Sequence, residues 1–509
     1  MKKNNQYFYR WFVMLVILVA CDDGFDEMNV NPVALTSVDP AFQLNSAIVA
    51  SAPVYGNLTY ETTIVKQMIT PFSGSGAGGN YNQDISGNTA GNWQTGYRNI
   101  LKNITDVLAK TQDDPEHSNL YNMARIWRAH AFIVLTDTYG DVPYTDAGKG
   151  FLEGVVKPAY DPQEDIYNNI LNELESASVA LDASKSEASR DILYGGDITQ
   201  WKRLGYSLLL RAAMRLSKVD PAKAAEFVGK AVAGGLMQSN EDNAVIRHTA
   251  DYPNNVGNQL NGGQSAFFYL AEDFVDFLKN NNDPRLASIA VRYVGATSGA
   301  DQTETVADRS VDVQIGMPLG YDNTTVSEAV AEAGLASLWD YSQLDRTRMA
   351  SPQAPSFLVT YAQTQLLLAE AVVRDWAEGD AAALYASGIE ANMQQFAEWP
   401  GDTEIEQSEI DAYLQAHPLD ADKALEQINT QYWVASFLNG QETWANFRRS
   451  GYPALTPNPF PGSDLKTEDF IRRLTYTDAE LSVNLENVQQ AISRQGPDIL
   501  DTRVWWDVE

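Results

Sequence analysis

Two short stretches of the chain bring together the side chains that recognise a polar, uncharged ligand. The segment from Asn80 to Trp93 supplies Asn80, Tyr81, Asn82, Gln83, Asp84 and Trp93, and Leu338 to Tyr341 supplies Trp339, Asp340 and Tyr341. Flat aromatic faces suit the C–H surface of a pyranose ring, and amides and carboxylates match its hydroxyl donors and acceptors. The expectation is a shallow binding platform on which the two loops face one another. Trp93, Trp339, Tyr81 and Tyr341 would stack there, and Asn80 and Asp84 would supply polar contacts. Trp93 also opens an apolar helical stripe, so packing competes with ligand contact at that position.

The elements that must hold these loops are read from periodicity. Trp93, Tyr97, Ile100, Ile104 and Leu108 make one apolar stripe, and Leu120, Met123, Ile126, Trp127, Ala131 and Val134 make the next. Spacings of three and four place each set on one helix face. Gly140 and Pro143 end this pair. A second pair runs from Ile166 through Leu181 and from Trp201 through Met214, and Trp201-x2-Leu204-Gly205 echoes the opening of a tetratricopeptide repeat. The expected fold is mainly α: helix pairs over about 90–235 and 355–440 against a loop-rich region with few short strands. That loop-rich region is expected at about 70–93, 240–355 and 440–509, all within one domain spanning 41–509.

The N-terminus carries a different signal. Lys2, Lys3 and Arg10 precede the apolar block Trp11–Ala20, which is too short to span a bilayer and has the length of an export signal. It ends at Leu18-Val19-Ala20-Cys21, where small residues precede the chain's single cysteine. We expect residues 1–20 to be a lipoprotein signal peptide, Cys21 to be lipidated, and residues 21–40 to be an extended tether. Acyl chains anchor a protein to a membrane without spanning it. The formal charge of −31 becomes −34 once Lys2, Lys3 and Arg10 are removed. Such a balance excludes nucleic acid as a partner and favours neutral or cationic ligands.

Several ordered stretches together resemble the SusD/RagB-like nutrient-binding lipoproteins of the Bacteroidota outer membrane. They are Ala129–Phe132 with Asp137–Tyr144, Asp191–Asp197 with Trp201, Leu208–Arg215, Asn282–Leu286, Leu368–Ala371, Asn439–Trp444 with Arg448-Arg449, and Arg503–Trp506. The resemblance covers essentially the whole chain after Cys21. It implies about four tetratricopeptide-like helix pairs, capture of oligosaccharide or polysaccharide, and delivery to a SusC-like TonB-dependent transporter. It also implies an outer-membrane location facing the cell exterior. Peptide capture, and a transporter lid with little affinity of its own, remain the alternative readings.

Other chemistries find less support. Gly74, Gly76 and Gly79 satisfy G-x-G-x-x-G, but the polar run Asn80–Asp84 that follows does not open the helix a dinucleotide site needs. The four histidines, His117, His130, His248 and His417, lack metal-ligand spacing, and no G-x-S-x-G element is present. With 67 acidic residues, a glycosidase pair can be nominated anywhere and therefore nowhere. We expect no metal, no cofactor and no catalysis. Replacing Cys21 with serine should leave folding and ligand affinity unchanged while abolishing uptake, measured as nutrient-dependent growth of cells carrying the variant.

Overall fold

The computed structural model describes residues 38–73, 77–185, 191–467 and 469–509. Cys21, the export signal and most of the expected tether lie outside them. Among the described residues no helix is long and apolar enough to cross a membrane.

Helices dominate, as expected from the paired stripes. Pro40–Ala50 starts with proline in its first turn and with Asp39 accepting the Ala41 amide at 2.8 Å. The first stripe folds as a π-helical turn, Thr95–Leu101, running into Lys102–Thr111, and packs on Ser118–Tyr139. Gly140, at φ 80°, ends that helix. Gln163–Ala180 lies between Ser118–Tyr139 and Ile198–Arg215, and Pro221–Gly234 completes this run. A second group begins with Tyr361–Val373, opened by a Thr360/Gln363 capping box, and includes Ala381–Gln394, Ala424–Ala435 and Gly440–Ser450.

Among the described residues, seven short strands tie the irregular region together. Strand β1 (Met68–Ile69) pairs with β3 (Tyr269–Leu270), and β2 (Ala244–Ile246) with β7 (Ser356–Val359). Strand β4 (Ala290–Tyr293) runs antiparallel between β5 (Ala307–Asp308) and β6 (Gln343–Leu344). The segment 61–69 divides between two elements: the helix Tyr55–Ile64 ends within it and Met68–Ile69 are strand. Likewise Tyr269–Leu270 pairs as a strand before the helix Glu272–Asn280 begins.

Charged residues sit at the centre of the helical body. Arg215 donates from Nε to Asp137 Oδ2 at 3.1 Å and from Nη2 to Glu442 Oε2 at 2.8 Å. Trp506 Nε1 and the Tyr167 hydroxyl donate to Asp137 Oδ1, and Tyr432 donates to Glu442 Oε1 at 2.8 Å. Arg211 contacts Glu442 at 3.5 Å and donates to Gln363 Oε1 at 2.7 Å. A second knot joins Arg449 to both Glu370 oxygens at 2.7 Å, with Asn429 and Asn446 filling the remaining positions. Burial opposes charge on Glu370, but Arg449 and Arg374 outweigh it and hold its carboxyl down to about 2. In a third, Arg285 grips Asp283 and reaches Asn392 and Gln431 at 2.7 and 2.8 Å.

Glu61 is the exception to this pairing. It is buried in the helix Tyr55–Ile64 with Asn92 donating to it at 2.6 Å, and desolvation pushes its carboxyl up to about 8.

Two stability measurements follow. Glu442→Ala leaves Arg211 without a carboxylate and Arg215 with Asp137 alone, and should cost about 3–5 kcal/mol in denaturant unfolding. For Glu61 the folded carboxyl binds its proton more tightly than the unfolded one. Its contribution is thus complete below about pH 4.5 and is lost as pH rises through about 8, on the order of 5 kcal/mol in all. Glu61→Gln should flatten the fall in melting temperature between pH 5 and pH 9, read by calorimetry.

Candidate functional site

The half-exposed Trp339 stands on a braced turn. The short 3-10 helix Leu338–Asp340 is capped by Ser337, whose hydroxyl accepts the Trp339 amide at 3.1 Å. Asp340, buried, accepts from the Gly295 amide at 2.9 Å, Arg292 Nε at 3.0 Å and the Ala336 amide at 3.1 Å. Gln302 Nε2 donates to the Trp339 carbonyl at 3.0 Å. The β5–β4–β6 sheet thereby fixes the turn from beneath, so the indole is held by a rigid element rather than by a loose loop.

Around this indole lies an apolar and polar surround that the sequence did not single out. A Cβ at Gly299 would fall 2.7 Å from the Ala266 side chain and 3.7 Å from Trp339 Nε1, so the glycine lets the two segments meet. Next to Ala266, the exposed Phe267 packs edge-on against Phe72, with ring centroids 5.0 Å apart. Val294 and Val306, both exposed, face one another across the β4–β5 turn. Arg346 lies 4.9 Å above the Tyr293 ring and donates to the Gln302 carbonyl at 3.2 Å. The only sequence sign of Phe267 is its position after Gly262-Gly263-Gln264, a turn signature followed by two phenylalanines.

The other expected contacts are placed differently. Tyr341 is 1% exposed, against Ile69, Tyr269 and Met317. Tyr81 is 6% exposed, stacked at 4.3 Å on Phe460, with its hydroxyl donating to the Pro71 carbonyl. Asn80 is fully buried and donates to the Thr70 carbonyl. Asp84 is exposed overall but accepts from the Thr475 hydroxyl at 2.9 Å, while its amide donates to Asp464 at 3.0 Å. Trp93 is 6% exposed, stacked on Tyr160 at 5.8 Å and edge-on to Tyr139 at 5.2 Å.

The expectation of two open loops facing one another is therefore corrected. The 77–94 segment is not a loose loop: it folds into the short helices Ala77–Tyr81, Ser86–Thr89 and Gly91–Gln94. Gly78 lies so close to Tyr60 that a Cβ would enter its ring. The segment is then pinned by the tail, with the Asp464 amide donating to Asn82 at 2.9 Å and Asn458 donating to the Asn80 carbonyl. Trp93 and Trp339 share no ring neighbour. Gly74 and Gly76 lie outside the described residues. His130 is buried as a packed residue, and desolvation together with Arg211 pushes its imidazole down to about 3.

A family model described as starch-binding and associating with the outer membrane, SusD-like, matches residues 32–477. The chain belongs to the SusD-like family. Solved structures agree over nearly its whole length. A chitin-binding protein is 30% identical with a TM-score of 0.81, covering 92% of this chain and 100% of its own. A SusD homolog from Bacteroides fragilis is 26% identical at 0.78, covering 92% and 100%. A chitin-binding SusD homolog from Flavobacterium johnsoniae is 25% identical at 0.74, covering 92% and 98%. No curated protein sequence matches. SusD-like proteins are associated with the outer membrane, and the mainly α architecture described above is the one these relatives share.

Proposed function

We propose that this SusD-like protein captures oligosaccharides at the cell surface and passes them to a SusC-like TonB-dependent transporter, anchored to the outer membrane through Cys21. Trp339 carries the proposal: a half-exposed indole on a rigid turn, with an N–H that no described residue accepts. Its ring offers a stacking face, Phe267 and Phe72 extend the apolar surface, and Gln302 and Arg346 stand beside it with polar groups. In this reading Asn80, Tyr81 and Tyr341 hold the surrounding backbone in place, and Asp84 fastens the 77–94 segment to the tail.

Binding without turnover fits the role of Asp340: it accepts three hydrogen bonds and sits in an ion pair with Arg292, which commits it to bracing the Trp339 turn. The names of the two chitin-binding relatives make chitin oligosaccharides the first ligands to test.

Calorimetric titration with chitohexaose should show binding that Trp339→Ala weakens at least tenfold, about 1.4 kcal/mol or more. Unchanged affinity in that variant would remove Trp339 from the site. Absence of heat with any glycan would favour the lid reading, binding in a parallel peptide library the peptide reading, and new reducing ends an enzyme.

A further inference from the structure

A groove of about 240 Å³ opens beside Trp93, in a part of the molecule that the Trp339 site does not include. Trp93 and Tyr97 line it from the start of the first helical stripe, their rings 4.8 Å apart. The backbone beneath is π-helical from Thr95 to Leu101, a geometry that adds a residue to the turn and recurs at binding sites. Pro143 and Pro158 form apolar walls, and Tyr97 is locked to one of them by donating to the Pro143 carbonyl at 2.7 Å.

The polar side chains of this groove divide into held and free. Glu480 is fixed by Tyr160 at 2.9 Å and by Asn484 at 3.2 Å. Asp146 pairs with Lys149 at 3.4 Å. Gln94 and Arg98, one helical turn apart and exposed, have no hydrogen-bond partner among the described residues. Nor does the indole N–H of Trp93, although the rest of that ring is enclosed by Tyr139, Tyr160 and Tyr476. That N–H is open to solvent, where a ligand oxygen can meet it. Three donors without partners thus border one apolar groove, with two carboxylates on its rim.

We propose that this groove is a second sugar subsite, which takes a single neutral ring through its oxygen acceptors and binds independently of Trp339. The volume suits one ring rather than a chain, and Trp93, its faces already covered, acts as a donor from its edge instead of as a stacking platform. The held carboxylates accept ring hydroxyls. The ligand class rests on the glycan reading above, whereas the existence of the groove does not.

Equilibrium dialysis against chitotriose separates the two. The full chain should bind two trimers, and Trp339→Ala should leave one. In that background Gln94→Ala with Arg98→Ala should weaken the remaining trimer at least tenfold. Ala479→Trp, an exposed position on the groove margin, should abolish it without altering the melting temperature. A single trimer in the unmodified chain that disappears with Trp339→Ala overturns the second subsite and leaves the first intact. Residual binding indifferent to the groove variants also overturns it. No binding in the unmodified chain overturns both sites.

Discussion

The buried contact of Arg215 with Asp137 and Glu442 is the constraint on which the rest of the fold depends. A guanidinium in a low-dielectric interior is tolerated only when anions and acceptors surround it. Here the two anions come from far apart in the chain, Asp137 from the end of one helix and Glu442 from the start of another, and the donors that complete them come from elsewhere again, Tyr167 and Tyr432 from two more helices and Trp506 from the C-terminal tail. Satisfying one side chain therefore fixes five segments at once. Apolar stripes alone would let helices slide by a turn, whereas a network with defined donors and acceptors accepts one register.

The same fact explains what was legible in the sequence. The stretches that carry the family resemblance are those that build the buried knots. Asp137 lies in one, Arg211 and Arg215 in another, Asp283 and Arg285 in a third, and Glu370, Glu442, Arg449 and Trp506 in the remainder. Residue type at such positions is dictated by the fold, so the ordered set reports architecture strongly and ligand chemistry hardly at all. Helix pairs were legible for the related reason that burial imposes a period.

The site was harder to read because aromatic rings in polar company have two uses. Tyr81 and Trp93 follow glycine- and asparagine-rich sequence, which suggests exposure. What decides their fate is a partner remote in sequence, Phe460 for Tyr81 and Tyr476 for Trp93. Tyr341 is separated from Trp339 by one residue, yet Asp340 turns the chain so that one ring faces the apolar interior of Ile69 and Tyr269 and the other stays half outside. Phe72 and Phe267 were missed because their pairing follows from the β1–β3 ladder, a two-residue contact too short to leave a pattern.

The clamp between residues 80–84 and 458–464 has a consequence for biogenesis. Its partners are separated by some 380 positions, and the Asp137 knot waits for Trp506, 369 positions further along the chain. Contacts of such separation close late, after the intervening chain is available. A growing chain can pair its helices locally as they appear, but it cannot close these contacts until residues 458–506 are available. Chains that stop before these residues would leave Asp137 without its Trp506 donor and the 77–94 segment unfastened, the kind of poorly packed region that proteases attack first. Fastening of the 77–94 segment is thereby coupled to the arrival of residues 458–464.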